Sequence, residues 1–174
     1  MEHGAQIEIR RLIRKDLEEV LAIEKMSFPA PWSRFLFEQE FLLPQAHLLA
    51  AADPALPDRV WGYLCFWLAA EETHILNLAV HPQWRRQGVG GRLLEYVLDY
   101  SRAKGAEEIF LEVRRSNSRA ISLYRRFHFQ PRGVRPRYYS DSGEDAIIMG
   151  IRLTDSSSTG THENRPQRNQ RDNC

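Results

Sequence analysis

Apolar positions along the chain follow two rhythms, and their alternation outlines the elements. Ile7–Leu12 reads as a short first strand. Asp16 with Glu19 three residues on has the spacing of a capping box, and Leu17, Val20 and Leu21 supply the apolar stripe of a helix that ends before Phe28-Pro29. Pro29 and Pro31 enforce an extended loop, after which Ser33 is placed to cap a second short helix running to about Leu43. His47–Ala52 and Val60–Leu68 are predicted strands around the turn-forming residues 53–58. The second of them is apolar on both faces, as a central strand is. His74–Val80 is a further buried strand closed by Pro82. The spacing then predicts a helix over Gly88–Lys104, with Leu93, Leu94, Val97 and Leu98 facing a sheet and Gly105 as its stop. Glu108–Val113 is the next strand, Asn117 caps a helix to about Phe127, and Asp145–Leu153 is a last strand. Strands, two strand–helix units, then a strand again describe a mixed α/β domain around a partly parallel sheet.

Composition narrows the classes. The 174 residues, 43% hydrophobic and 27% charged, suit one globular domain, placed here at residues 1–153. The longest apolar run, Val60–Ala70, falls short of the roughly twenty residues of a spanning helix, and charged residues throughout the first twenty positions speak against a signal peptide. No membrane association is expected. Lys+Arg 24 against Asp+Glu 23 leaves +1, so no direct nucleic-acid contact is expected either. Cys65 lies in an apolar strand and Cys174 at the end of a polar stretch, which suits a reducing, cytoplasmic setting. The six histidines show no ligand-like pairing, so no metal is expected. Residues 154–174 contain one hydrophobic residue, Cys174, and are expected to form a disordered polar tail.

The stretch richest in chemistry is Arg85-Arg86-Gln87-Gly88-Val89-Gly90-Gly91-Arg92, a glycine-rich loop that leads from a strand into a helix. The first N–H groups of such a helix lack partners and, with the helix dipole, cradle phosphate; glycine lets the backbone approach an anion that a Cβ would hold off. A Walker loop is excluded because Arg92 follows the last glycine, and a dinucleotide fingerprint because Leu93 stands at its third glycine. The residues alone leave a second account open, a tight helix start with no ligand.

Arg85-x-x-Gly88-x-Gly90 resembles the pyrophosphate loop of the GCN5-related N-acetyltransferase (GNAT) superfamily. Asn77-Leu78-Ala79-Val80-His81-Pro82 before it resembles the RimI type, the ribosomal-protein-alanine N-acetyltransferases. So does Leu111-Glu112-Val113-Arg114-x-Ser116-Asn117-x-x-Ala120-x-x-Leu123-Tyr124 after it. Phe28-Pro29-x-Pro31-Trp32-Ser33, Tyr138-Tyr139 and Gly143–Met149 extend the likeness, which covers about Ile7–Leu153 in family order.

The resemblance implies a single GNAT-like domain, a mixed and mostly antiparallel sheet with a parallel central pair, flanked by helices. It implies acetyl-CoA as co-substrate, with the pyrophosphate on the backbone of Arg86, Gln87, Gly88, Val89, Gly90 and Gly91. The pantetheine arm would lie along Leu78, Ala79 and Val80 like an added strand, and Asn117 would contact the cofactor besides capping its helix. Glu112 would be the general base, acting through a water, and Tyr124 the general acid for the departing thiolate. Trp32, Tyr138 and Tyr139 would shape a pocket for a protein N-terminus, that of a ribosomal protein beginning with Ala, and the chain would act as a monomer. Taken without the resemblance, Glu112 reads first as a solvated strand carboxylate, Tyr124 as a core aromatic, and Arg114, Arg115, Arg119, Arg125 and Arg126 as a solvated helix surface. His128 stands where the family usually has Gly, so the turn there is expected to differ. The same fold acting on another amine, and a non-catalytic acyl-CoA-binding module, are the alternatives.

Overall fold

A computed structural model describes residues 6–153; the stretch assigned above to a polar tail lies outside them. The strands are β1 (Glu8–Arg11), β2 (Ala46–Asp53), β3 (Leu56–Ala69), β4 (Glu72–Val80), β5 (Glu108–Arg114), β6 (Gln130–Tyr139) and β7 (Glu144–Arg152). The helices are α1 (Leu17–Ser27), α2 (Arg34–Glu40), α3 (Val89–Ala103) and α4 (Ser118–Arg126). The strands form one sheet in the order β1-β2-β3-β4-β5-β7-β6, parallel only between β4 and β5. This is the mixed, mostly antiparallel architecture with a parallel central pair that the resemblance implied.

Alternation along the strands divides the core in two. Leu64, Phe66, Ile75, Ile109, Leu111 and Val113 face α3 and α4 and pack on Leu93, Leu94, Val97 and Ile121. Tyr63, Cys65, Leu48 and Ala79 face the other way, onto Leu17, Val20 and Ile23 of α1 and Phe37 of α2. The apolar stripes that define the helices in sequence are thus the faces they bury.

Two irregularities shape the centre of the sheet. Opposite the Cys65–Phe66 step the register jumps from Asn77 to Ile75, leaving Leu76 as the extra residue of a bulge in β4. Leu76 packs with the α1/α2 core and Asn77 bonds to Glu24 of α1, so the bulge turns two successive side chains to one face. Furthermore, β4 and β5 pair only over Glu72–Ile75 and Glu108–Leu111. Beyond Ile75 and Leu111 the strands run on unpaired with each other, opening a wedge in the sheet between Leu76–Val80 and Glu112–Arg114.

Several local expectations are corrected. Asp16 does not cap α1: its carboxylate accepts from the Ile13 N–H at 2.9 Å and grips Arg10 at 2.7 and 2.8 Å, closing the 3-10 turn Arg14–Asp16 that precedes the helix. The helix capped by Ser33 stops at Glu40, and β3 begins at Leu56, directly after a turn in which Asp53 accepts from the Ala55 N–H at 2.8 Å. The strand β6 carries no apolar alternation because it is an edge strand, exposed along nearly its whole length and interrupted by Pro131 and Pro136. His128 keeps a left-handed backbone at φ 66°, so the turn retains the conformation a glycine would give it.

Candidate active site

The wedge is bordered by most of the residues singled out in the sequence. On its β4 side, Leu78 and Val80 point to the α3/α4 core and Ala79 to the α1/α2 core, leaving the main chain of this segment along the unpaired edge. The glycine-rich loop follows at the wide end. Gly88 has φ 86° and precedes α3 as its cap, a conformation that glycine adopts without strain. The first main-chain bond back into the helix is from Arg92 N–H to Gly88 O at 2.9 Å, so the N–H groups of Arg86–Gly91 remain without main-chain acceptors among the described residues. Fixed donors at the positive end of a fifteen-residue helix suit a pyrophosphate.

Gly90 and Gly91 make room for protein rather than for an anion, contrary to the expectation from sequence. A Cβ on Gly90 would point inward, 3.2 Å from Leu123 Cδ2 and 3.7 Å from Val80 Cγ2, and one on Gly91 would meet the Phe127 ring at 3.5 Å. These two glycines let the start of α3 sit against α4 and β4; they do not clear space for an anion. Arg85, despite leading the motif, is already engaged: its Nε donates to Val80 O at 2.9 Å and its Nη2 to Ser27 Oγ at 3.1 Å, tying the end of β4 to α1.

Glu112 is the first β5 residue past the last β4–β5 pair. Its neighbours Leu111 and Val113 lie in the α3/α4 core, so its carboxylate projects from the opposite face. Oε2 lies 2.6 Å from His74 Nε2, and Oε1 accepts from Arg135 Nε at 3.0 Å. Burial by itself would raise this carboxyl; the hydrogen bond and charge of His74 and those of Arg135 outweigh it and hold the group below the usual carboxylate range. Tyr124 approaches from the α3/α4 side, in the last turn of α4, with its ring 5.8 Å from Phe129. Burial, with Tyr139 nearby adding to it, pushes its hydroxyl well above the ordinary tyrosine range, so it holds its proton. Asn117 caps α4 as expected, Oδ1 accepting from the Ala120 N–H at 3.1 Å.

Tyr139 lies close enough to Tyr124 to raise its hydroxyl, and close enough to Glu112 to be raised by that carboxylate. Burial, the nearby Tyr138, Glu112 and Glu144, against the opposing charge of Arg114, push its hydroxyl up to about 12. Arg114 is not the solvated helix residue expected. It belongs to β5, stacks 3.9 Å over the Tyr139 ring, and clamps Asp141 with two bonds of 2.8 Å, fixing the β6–β7 turn. Tyr138 stands more open, with its ring at right angles to that of Tyr139.

Glu24 is the site residue that sequence reasoning missed. Fully buried near the end of α1, it accepts from the Tyr63 hydroxyl, from Asn77 Nδ2 at 2.5 Å, and from the Trp32 N–H at 2.7 Å. It therefore joins the Phe28–Ser33 loop to the bulge of β4. Burial raises its carboxyl, and the bonds from Tyr63, Trp32 and Asn77 only partly offset this. The signal available in the sequence was an acid at an otherwise apolar helical position, beside Ile23 and ahead of the proline loop. A separate groove of about 460 Å³, lined by Phe41, His47, Phe66 and Tyr100 among others, lies at the start of β2 and includes none of these residues.

Comparison with known proteins agrees with this geometry. Residues 17–129 match the family described as Acetyltransferase (GNAT) family. An Escherichia coli (strain K12) protein named [ribosomal protein bS18]-alanine N-acetyltransferase is 32% identical over 148 residues, covering 84% of this chain and 97% of its own. A Sulfurisphaera tokodaii N-alpha-acetyltransferase is 29% identical over 160 residues, covering 86% and 95%. The crystal structure of the ribosomal-protein-S18-alanine N-acetyltransferase from Escherichia coli superposes with a TM-score of 0.78 at 28% identity, covering 90% of this chain and 99% of that one. With the sheet, the wedge and the loop in place, the chain belongs to the GNAT family and is an N-acetyltransferase of the RimI type.

Proposed function

We propose that the protein transfers acetyl from acetyl-CoA to the α-amine of a protein N-terminus, that of a ribosomal protein beginning with Ala. The observation that carries this reading is the wedge between β4 and β5. It offers unpaired strand edge for a pantetheine arm and free N–H groups at Arg86–Gly91 for the pyrophosphate, with Glu112 just past the last β4–β5 pair and Tyr124 buried on the α3/α4 side. A main-chain N–H from that edge would also polarise the acetyl oxygen. The names of the Escherichia coli and Sulfurisphaera tokodaii relatives support an α-amine as acceptor.

A protein α-amine has an ordinary pKa near about 7.7–8.0, so a useful fraction is already free at neutral pH. Once that free amine has attacked the thioester its nitrogen becomes strongly acidic, and a carboxylate of depressed basicity suffices to take the proton. Glu112, held low by His74 and Arg135, suits that later step, through a water. Tyr124, which keeps its proton, would return one to the leaving thiolate. Transfer is direct. Cys65 is fully buried, and burial, with Glu40 and Glu24 adding to it, raises its thiol well above the ordinary range, so it offers no thiolate for an acetyl-enzyme. Thiol release from acetyl-CoA, measured with a panel of N-terminal peptides against lysine peptides, polyamines and aminoglycosides, tests the substrate class. Activity confined to the small amines would overturn the reading, and no thiol release with any acceptor would favour a binding module. Mass spectrometry of termini acetylated in a ribosomal extract identifies the protein.

A further inference from the structure

His74 and Glu112 meet because of where the parallel pairing stops. His74 is paired with Phe110, and Glu112, two residues beyond Phe110 on the same strand face, reaches back over that pair. The imidazole is held on three sides. It stacks on Phe110 at 4.3 Å with an interplanar angle of 20°, stands edge-on to Trp67 at 6.3 Å, and points Nε2 at Glu112 Oε2 at 2.6 Å. Trp67 is itself fixed by donating Nε1–H to Glu40 at 2.7 Å. A mobile surface histidine has no such constraints.

We propose that His74 is a positioning residue for the acetyl transfer, whose Nε2–H holds the Glu112 carboxylate in the orientation in which it takes the substrate proton. The proposal rests on the reading of Glu112 as the base. With neutral imidazole, Nε2–H donates to Oε2 and Arg135 to Oε1, which orients the carboxylate and leaves one acceptor direction on each oxygen for the substrate proton.

The test is kcat and KM at pH 8.5 for wild type, H74Q and H74L, using an Ala-terminated peptide at saturating acetyl-CoA, with thermal melts alongside. H74Q, which keeps a donor in place of Nε2, is expected to fall within about threefold of wild type. H74L, with no donor, is expected to lose about tenfold in kcat, with KM for the peptide and acetyl-CoA affinity by calorimetry unchanged. An H74Q enzyme as slow as H74L, or an H74L enzyme matching wild type, overturns the proposal. Glu112→Gln measured alongside separates the two readings. If it is slow and H74L is not, only the role of His74 fails; if it turns over like wild type, both fail.

Discussion

Removing the Glu24 carboxylate strips three donors of their acceptor at once. In Glu24→Ala the Tyr63 hydroxyl, which is completely buried, is left unpaired, at a cost of about 1–3 kcal/mol. Trp32 N–H and Asn77 lie nearer the surface, so water replaces part of what they lose. Relief of the buried charge offsets some of the total, which gives a net destabilisation of about 2–4 kcal/mol. A domain of this size has roughly 5–15 kcal/mol in hand, so the variant folds, with its urea midpoint lowered by about 1–2 M. The pH dependence has a definite sign. Glu24 is raised in the folded state, so its proton-linked contribution is fully present below the ordinary glutamate value near about 4.3 and is lost as pH rises through the raised value. The gap in midpoint between wild type and Glu24→Ala should therefore narrow from pH 4 to pH 8. Because the same carboxylate fixes Trp32, KM for the peptide should rise while acetyl-CoA affinity is kept. Urea melts at pH 4, 6 and 8 with peptide kinetics form the assay. A midpoint within about 0.3 M of wild type, or a gap that widens with pH, would refute the reasoning.

Glu112→Gln should lower kcat at pH 7 by about 10²–10⁴-fold with acetyl-CoA affinity intact, and raising the pH to 9.5 should restore part of it as hydroxide takes the proton from the attacking nitrogen in its place. Tyr124→Phe should lower kcat by a smaller factor, without rescue by alkali, because the thiolate leaves fairly well by itself; wild-type turnover in both variants would dismiss the pair. Gly90→Val presses its branched side chain against Leu123 and Val80, so it should lower the melting temperature and acetyl-CoA affinity together. Gly90→Ala, whose single methyl asks Leu123 to move only a few tenths of an ångström, should do much less; calorimetry and thermal melts that showed lost binding with unchanged stability would return Gly90 to anion clearance.

What could be read from the sequence was whatever a single segment states by itself. Asn117 as a cap, the stripe Leu93–Leu94–Val97–Leu98 and the buried strand Val60–Leu68 each follow from local spacing, and each stands in the structure. The β6 strand could not be read, because an edge strand with two prolines has no buried face to impose a period of two. Nor could the Asp16 carboxylate be assigned, since it chose Arg10 and the Ile13 N–H over the helix it precedes. In the site, the loop and Glu112 were visible as motifs. The partners of Glu112, His74 and Arg135, come from two other strands, and those of Glu24 from positions 8, 39 and 53 residues away. Such contacts exist only after the sheet has ordered the strands.

The wedge between β4 and β5 also has a consequence for the energetics of the whole domain. Four rungs, Glu72–Ile75 on Glu108–Leu111, with the Glu107 and Glu108 N–H groups on Glu71 O just before them, stitch the β1–β4 half of the sheet to the β5–β7 half. A molecule lying along Leu78–Val80 would extend that seam, so its binding energy would appear as cohesion between the halves. Occupancy at a hundred times the dissociation constant would add about 2.7 kcal/mol to global stability. Amide protons along the open edge of β4 should then slow in exchange on loading, which makes the seam the place where the co-substrate concentration is felt.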